Sequence, residues 1–149
     1  MSYSTSPSNI VKLDNMLVLL ICVGQYDSKD LEALPGTQND RARLHQLFTD
    51  IYGYKVIQNQ SSRVTEDDIE DLLHAAKKEF KNKDRNYNAI MVFYSGHGDM
   101  NSLLLSDFNQ DKYGTITGVY SRSKFISYFN GTNIRSVSYT HLTLPTIGC

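Results

Sequence analysis

The chain has 149 residues, with 15 Lys plus Arg against 16 Asp plus Glu and a formal net charge of −1. That length suits one domain, and charges that nearly cancel point away from a nucleic-acid or polyanion binder. Two cysteines, Cys22 and Cys149, cannot build a disulfide framework, so a reducing, cytoplasmic setting is expected. The serine-rich start, Met1 to Ser8, lacks a basic n-region, and the apolar run Met16 to Val23 is too short to span a bilayer, so no membrane partner is expected.

Residues 1–14 read as a disordered or loosely packed arm. Leu17 to Val23 is continuously apolar, the pattern of a strand buried on both faces. Gly24 to Asn39 carries Asp, Ser, Pro and Gly throughout and reads as loop. Thr37 then caps a helix, with Asp40 three residues on as a capping-box variant. Leu44, Leu47, Phe48 and Ile51 form its apolar stripe, and Gly53 stops it. Tyr54 to Ile57 is a short second strand.

Thr65 caps the next helix, again with an acid three residues on, Asp68. Its stripe is Ile69, Leu72, Leu73, Ala76 and Phe80. Acids at 66–68 and lysines at 77, 78 and 81 complement the helix dipole. Ala89 to Tyr94 is the third strand. It runs straight into Ser95-Gly96-His97-Gly98, which sets one imidazole at a strand tip between two glycines. Leu103 to Leu105 and Thr115 to Thr117 pair as a small hairpin around Asn109 to Gly114. Ser121 caps a third helix carrying Phe125, Ile126 and Phe129, which stops at Gly131.

Strand, helix, strand, helix, strand means an α/β sheet with right-handed crossovers. With strands two and three on opposite sides of strand one, the order reverses there, and ligands bind outside the carboxyl ends of the strands at such a reversal. The 24–39 loop, the start of its helix and Ser95 to Gly98 then face one crevice. Histidine moves protons near neutral pH. Gly98 offers an unobstructed backbone N–H, the type of donor that stabilises a developing oxyanion. Together they suggest acyl transfer, given a nearby nucleophile.

Other features read as structural. Asp107, Asn109, Asp111 and Gly114 are spaced somewhat like a calcium loop, but Gly118 stands where the bidentate Glu should be, so a polar hairpin turn is expected and no metal or other cofactor is assigned. Asn59-Gln-Ser61 and Asn130-Gly-Thr132 are chance glycosylation triplets in a chain without a secretion signal. His45 and His74 lie off their helices' stripes and read as solvated. Cys22 reads as core. The first loop has neither a glycine phosphate fingerprint nor a P-loop lysine, which argues against a nucleotide binder.

Leu17–Gly24, Leu34-Pro35-Gly36-Thr37-Gln38-Asn39-Asp40, Tyr52-Gly53-Tyr54 and above all Phe93-Tyr94-Ser95-Gly96-His97-Gly98 resemble the caspase, metacaspase and paracaspase superfamily of cysteine peptidases. Leu103-Leu104-Leu105-Ser106-Asp107 and 125–133 also fit, so the resemblance covers about 15–136. It implies an α/β, three-layer caspase-like sheet of mostly parallel strands, order 2-1-3 and then missing strands, with helices on both faces. The chain would be an N-terminal fragment of the full domain. The resemblance makes His97 the dyad histidine and the Gly98 N–H an oxyanion donor. It places Asp40 and Ser95 where metacaspases and paracaspases hold a basic P1 side chain, while no arginine occurs between Gly24 and Asn39 to hold an aspartate. Asp40 also suits a pure capping role, and both readings stand.

The family's nucleophile is a cysteine ending the next strand, roughly 50 residues past the histidine. Here Val137 to Cys149 has Thr at alternate positions and Pro145 inside the supposed strand, poor features for a central parallel strand. The segment 137–149 therefore reads as a foreign or read-through tail on a partial peptidase domain of 15–136. Cys149 falls near the family's distance from His97, but a terminal cysteine is hard for His97 to hold, and an incidental thiol is the competing reading.

The expected function is cysteine-type endopeptidase hydrolysis of a peptide or protein substrate after Arg or Lys, in a chain lacking that activity because the nucleophile is missing. The alternative is a non-catalytic caspase-like interaction module. Without later strands, strand three becomes an open edge through which copies self-associate.

Overall fold

The computed structural model describes residues 15–130 together with the backbone of a strand at 136–143. Four parallel strands form the main sheet in the order β2-β1-β3-β6: β1 (Met16–Cys22), β2 (Lys55–Gln58), β3 (Ala89–Gly96) and β6 (Ser136–Thr143). The sequence-based order 2-1-3 holds. β1 is flanked on both sides, as its unbroken apolar run requires.

Alternation along the strands builds two cores. Leu17, Leu19 and Ile21 of β1 join Ile90, Val92 and Tyr94 of β3 on one face, where they meet Ile69, Leu73 and Ala76 of helix α2 (Glu66–Phe80) and Phe125 of helix α3 (Arg122–Tyr128). Val18, Leu20 and Cys22 join Phe93 on the other face, under Phe48 and Leu44 of the first helical segment. Burying a side chain of this size stabilises by about 1.5–3 kcal/mol, so this period-two split holds a helical layer on each side.

The helix caps follow local chemistry where nothing overrides it. Thr65 and Asp68 form a complete capping box, each side chain accepting the other's backbone N–H. Ser121 accepts the Lys124 N–H at the start of α3. Helix α1 (Gly36–Gln46) departs from expectation, because Pro35 is its N-cap and no side chain caps it. Proline suits this place, since its fixed φ matches helical geometry and it has no N–H to satisfy. Thr37 is instead buried, its hydroxyl donating to the Leu34 carbonyl at 2.9 Å. Asp40 thus caps nothing and is free of that role. The helix continues as one π turn (Leu47–Ile51), closed by the Tyr52 N–H on the Leu47 carbonyl at 3.2 Å. The wider turn rotates Ile51 off the stripe, leaving it 72% exposed.

A second, antiparallel sheet pairs β4 (Ser102–Gln110) with β5 (Ile116–Ser121). Its register slips between Leu104 and Asn109, where Gly118 takes φ +71 against the Asp107 backbone. Its turn is held by Asp111, whose Oδ1 accepts the N–H groups of Tyr113 and Thr115 at 2.8 Å each. The carboxylate is engaged by backbone, as a hairpin turn requires. Among the described residues no group of three His, Cys, Asp or Glu is placed to hold a metal, and no helix is long and apolar enough to cross a membrane.

Two expectations about the end of the chain need correction. Residues 136–143 pair in parallel with β3 from Ala89↔Ser136 to Gly96↔Thr143, despite their alternating Thr. Pro145 falls after the last residue of that strand, so it removes no ladder hydrogen bond within it. β3 is therefore flanked by β1 and β6 and is not the open edge expected of it. The 1–14 arm, Gly131 and Cys149 lie outside the described residues.

Candidate active site at the carboxyl end of the sheet

The carboxyl ends of β1 and β3 lie side by side, with Cys22 level with Ser95 and the Val23 N–H on the Ser95 carbonyl at 2.8 Å. The loop after β1 folds back over this end. Its return is closed by the Leu34 N–H on the Gly24 carbonyl at 2.7 Å. Gly24 permits that closeness, since a Cβ there would meet Thr37 Oγ1 at 2.6 Å and the Leu34 carbonyl at 2.8 Å.

His97 sits just past β3, beneath this loop and only 5% exposed. Its Nε2 lies 2.8 Å from the Glu32 carbonyl oxygen, and its ring meets the Tyr26 ring edge-on at 4.7 Å between centroids. A carbonyl only accepts, so Nε2 carries the hydrogen. In the neutral ring the lone pair is then on Nδ1, which is buried and has no hydrogen-bond partner among the described residues. That nitrogen is the one free to take a proton. The covering loop makes the ring less open than a crevice position suggests, and neither described cavity, of about 310 and 450 Å³, is lined by it.

Gly98 faces Leu103 in a single antiparallel bridge. The bonds around that bridge run from the Leu104 N–H to the His97 carbonyl and from the Asp99 N–H to the Ser102 carbonyl, both at 3.0 Å. Gly98 is thus in the non-hydrogen-bonded position, and its own N–H points away from β4. Ser95 is buried, and its hydroxyl lies 3.5 Å from Asp40 Oδ2, a long contact that brings the two expected substrate-binding residues together.

Five contributors escaped the sequence reading. The Glu32 carbonyl is backbone, which leaves no residue-type signature. Tyr26 and Tyr94 are aromatic residues whose hydroxyls hold the His97 backbone. Asn59 was legible only as a glycosylation triplet. Its side chain is buried, accepting the Cys22 N–H at 2.8 Å and donating to the carbonyls of Cys22 at 2.8 Å and Ser61 at 2.7 Å. An amide so engaged cannot carry a glycan in the folded chain. Arg41 donates to the Asn59 carbonyl, tying α1 to the same corner. Cys22 lies within the core, where burial pushes its thiol up to about 12, so it is no nucleophile.

A parallel α/β sheet with a histidine and a glycine at the tip of its third strand fits the caspase-type domain that the sequence resemblance implies. The caspase domain family matches residues 15–140, and the chain belongs to it. Solved structures agree on the fold. The chain resembles pro-sf-caspase-1 (TM-score 0.66, 12% identity, 87% of this chain and 51% of that one) and caspase-1 from Spodoptera frugiperda (0.63, 14%, 85% and 46%). It also resembles the Drosophila initiator caspase Dronc (0.62, 14%, 89% and 52%). The chain spans about half the length of each. No curated protein matches its sequence.

Proposed function

We propose that this domain belongs to a cysteine-type endopeptidase that hydrolyses peptide bonds after Arg or Lys in peptide or protein substrates of the cytoplasm. The nucleophile is a cysteine outside the described residues. His97 Nδ1 takes the thiol proton, and the thiolate attacks the scissile carbonyl carbon. The Gly98 N–H donates to the resulting oxyanion, the kind of contact worth about 2.7–4 kcal/mol where a donor has been removed. Collapse breaks the C–N bond, and His97 returns the proton to the leaving amine. A water, deprotonated by His97, then hydrolyses the thioester and restores the thiol.

The observation that carries this reading is the imidazole with Nε2 engaged by the Glu32 carbonyl and Nδ1 without a partner among the described residues, followed in the chain by a Gly98 N–H directed away from β4. The basic P1 preference rests on Asp40, a carboxylate without a capping duty beside Ser95.

An arginyl chloromethyl ketone tests it. In the native protein that carries these residues, the expected result is one covalent adduct on one cysteine, absent from His97→Ala. A folded protein that takes no adduct favours the non-catalytic interaction module instead. In the 149-residue chain itself, an adduct lost in Cys149→Ala would assign the nucleophile to Cys149 and remove the tail assignment for 137–149.

A further inference from the structure

We propose that Tyr26 is a positioning residue for His97, fixing the imidazole through a hydrogen bond to its backbone and a ring-edge contact to its side chain. This rests on the reading of His97 as the site's base.

The His97 N–H donates to Tyr26 Oη at 2.8 Å. The His97 carbonyl is held separately, by the Leu104 N–H at 3.0 Å and by Tyr94 Oη at 2.8 Å, which also reaches the Leu104 carbonyl at 2.9 Å. Two phenols from two elements thus grip the two ends of one residue, with their oxygens 3.5 Å apart. Gly96 makes room for them, since a Cβ there would meet Tyr26 Oη at 2.8 Å and collide with the Tyr94 phenol.

Tyr26 and Glu32 lie on the same loop, closed at its base by the Leu34 N–H on the Gly24 carbonyl at 2.7 Å, so the backbone hold and the ring's carbonyl contact come from one segment. The loop is pinned next to Tyr26 by the Asp27 N–H on the Ser106 carbonyl at 2.8 Å and by a two-pronged Asp27–Arg63 pair at 3.1 and 2.6 Å. Backbone hold, edge contact and carbonyl contact therefore act on one imidazole from one loop. Without the Tyr26 hydroxyl, the His97 N–H loses its acceptor in a buried place, and the ring loses its register with Glu32.

Tyr26→Phe tests the hydroxyl while keeping the ring. Long-range nitrogen NMR reads which ring nitrogen of His97 carries the hydrogen, and amide exchange reads its backbone. In the wild-type chain the neutral ring should hold its hydrogen on Nε2. In Tyr26→Phe an Nδ1–H population should appear and the His97 amide should exchange on the order of 10-fold faster, the loss of one buried hydrogen bond, while amides of β1 and β3 keep their rates. Both readouts unchanged in folded Tyr26→Phe overturn the proposal. If that variant does not fold, the wild-type chain decides: a slowly exchanging His97 amide and a Tyr26–His97 ring contact by NOE support the proposal, and the lack of either overturns it. A wild-type ring with its hydrogen on Nδ1, alongside a variant effect on the amide, supports Tyr26 and contradicts the base reading.

Discussion

The Nε2 atom of His97 and the carbonyl oxygen of Glu32 stand 2.8 Å apart, and this contact decides which end of the imidazole is chemically available. Glu32 acts through its backbone, and its side chain is exposed. Replacing it with Gln or Ala should therefore leave the site's geometry and the protein's urea midpoint within about 0.5 kcal/mol of wild type. A large loss in activity from Glu32→Ala would show that the carboxylate, and not the carbonyl, does the work.

Asp40 is expected to set the preference for a basic P1 side chain. Asp40→Asn should lower kcat/KM for Arg and Lys peptides by on the order of 10- to 100-fold, the worth of a charge-assisted hydrogen bond. Turnover of an uncharged P1 peptide should hardly change. A uniform loss across P1 residues would give Asp40 a structural role only.

Asn59 joins the end of β1 to the loop after β2 through two buried hydrogen bonds to Cys22, and a third, part-buried, runs to the Ser61 carbonyl within that loop. Asn59→Ala leaves the Cys22 N–H and two carbonyls without partners and should destabilise the domain by about 2–4 kcal/mol in urea unfolding. A change under about 1 kcal/mol would mean that water replaces all three bonds.

Gly24 and Gly36 make a matched pair. Gly24→Ala forces a Cβ against Thr37 Oγ1 and the Leu34 carbonyl, and should cost about 1–3 kcal/mol. Gly36 opens α1, and a Cβ added there would meet nothing within 4 Å, so Gly36→Ala should stabilise by about 0.4–1 kcal/mol. Equal effects would contradict the close approach of the loop to β1.

Stability should fall in alkali. Burial raises the Cys22 thiol from 9.0 to about 12, and burial also raises the Tyr26 and Tyr128 phenols. The unfolded chain therefore loses these protons first. The stability the Cys22 thiol contributes is complete below the ordinary thiol value and is lost as pH climbs from about 9 toward 12, by up to about 1.4 kcal/mol per pH unit, and the two phenols act in the same direction. Urea midpoints that stay flat or rise between pH 8.5 and about 10.5 would contradict the burial of these groups. Peptide mapping should likewise find Cys22 unalkylated at neutral pH until the chain unfolds.

Much of this was legible in local sequence. The Thr65–Asp68 box formed because both partners lie within one turn and nothing else claims them. The continuous apolar run of β1 marked it as an interior strand, while the order 2-1-3 followed from the family resemblance and not from local pattern. Thr37 failed as a cap because tertiary packing of the loop under Gly24 claimed its hydroxyl and Pro35 already opened the helix. Ile51 left its stripe because one π turn changes the angular step, which a 3.6-residue pattern cannot foresee. At the site, His97 and Gly98 were marked by their own residue types. The Glu32 carbonyl and the Tyr26 hydroxyl come from a loop whose path is set by contacts distant in sequence, so no local pattern marks them.

The measurement that tests the central claim most directly is a P1 panel of fluorogenic peptides on the native protein carrying these residues, beside its His97→Ala variant. The account predicts cleavage after Arg or Lys, and a fall of on the order of 10²–10⁴-fold in kcat/KM for a variant that still unfolds cooperatively in urea. Turnover that survives His97→Ala, or a preference for Asp at P1, would contradict it.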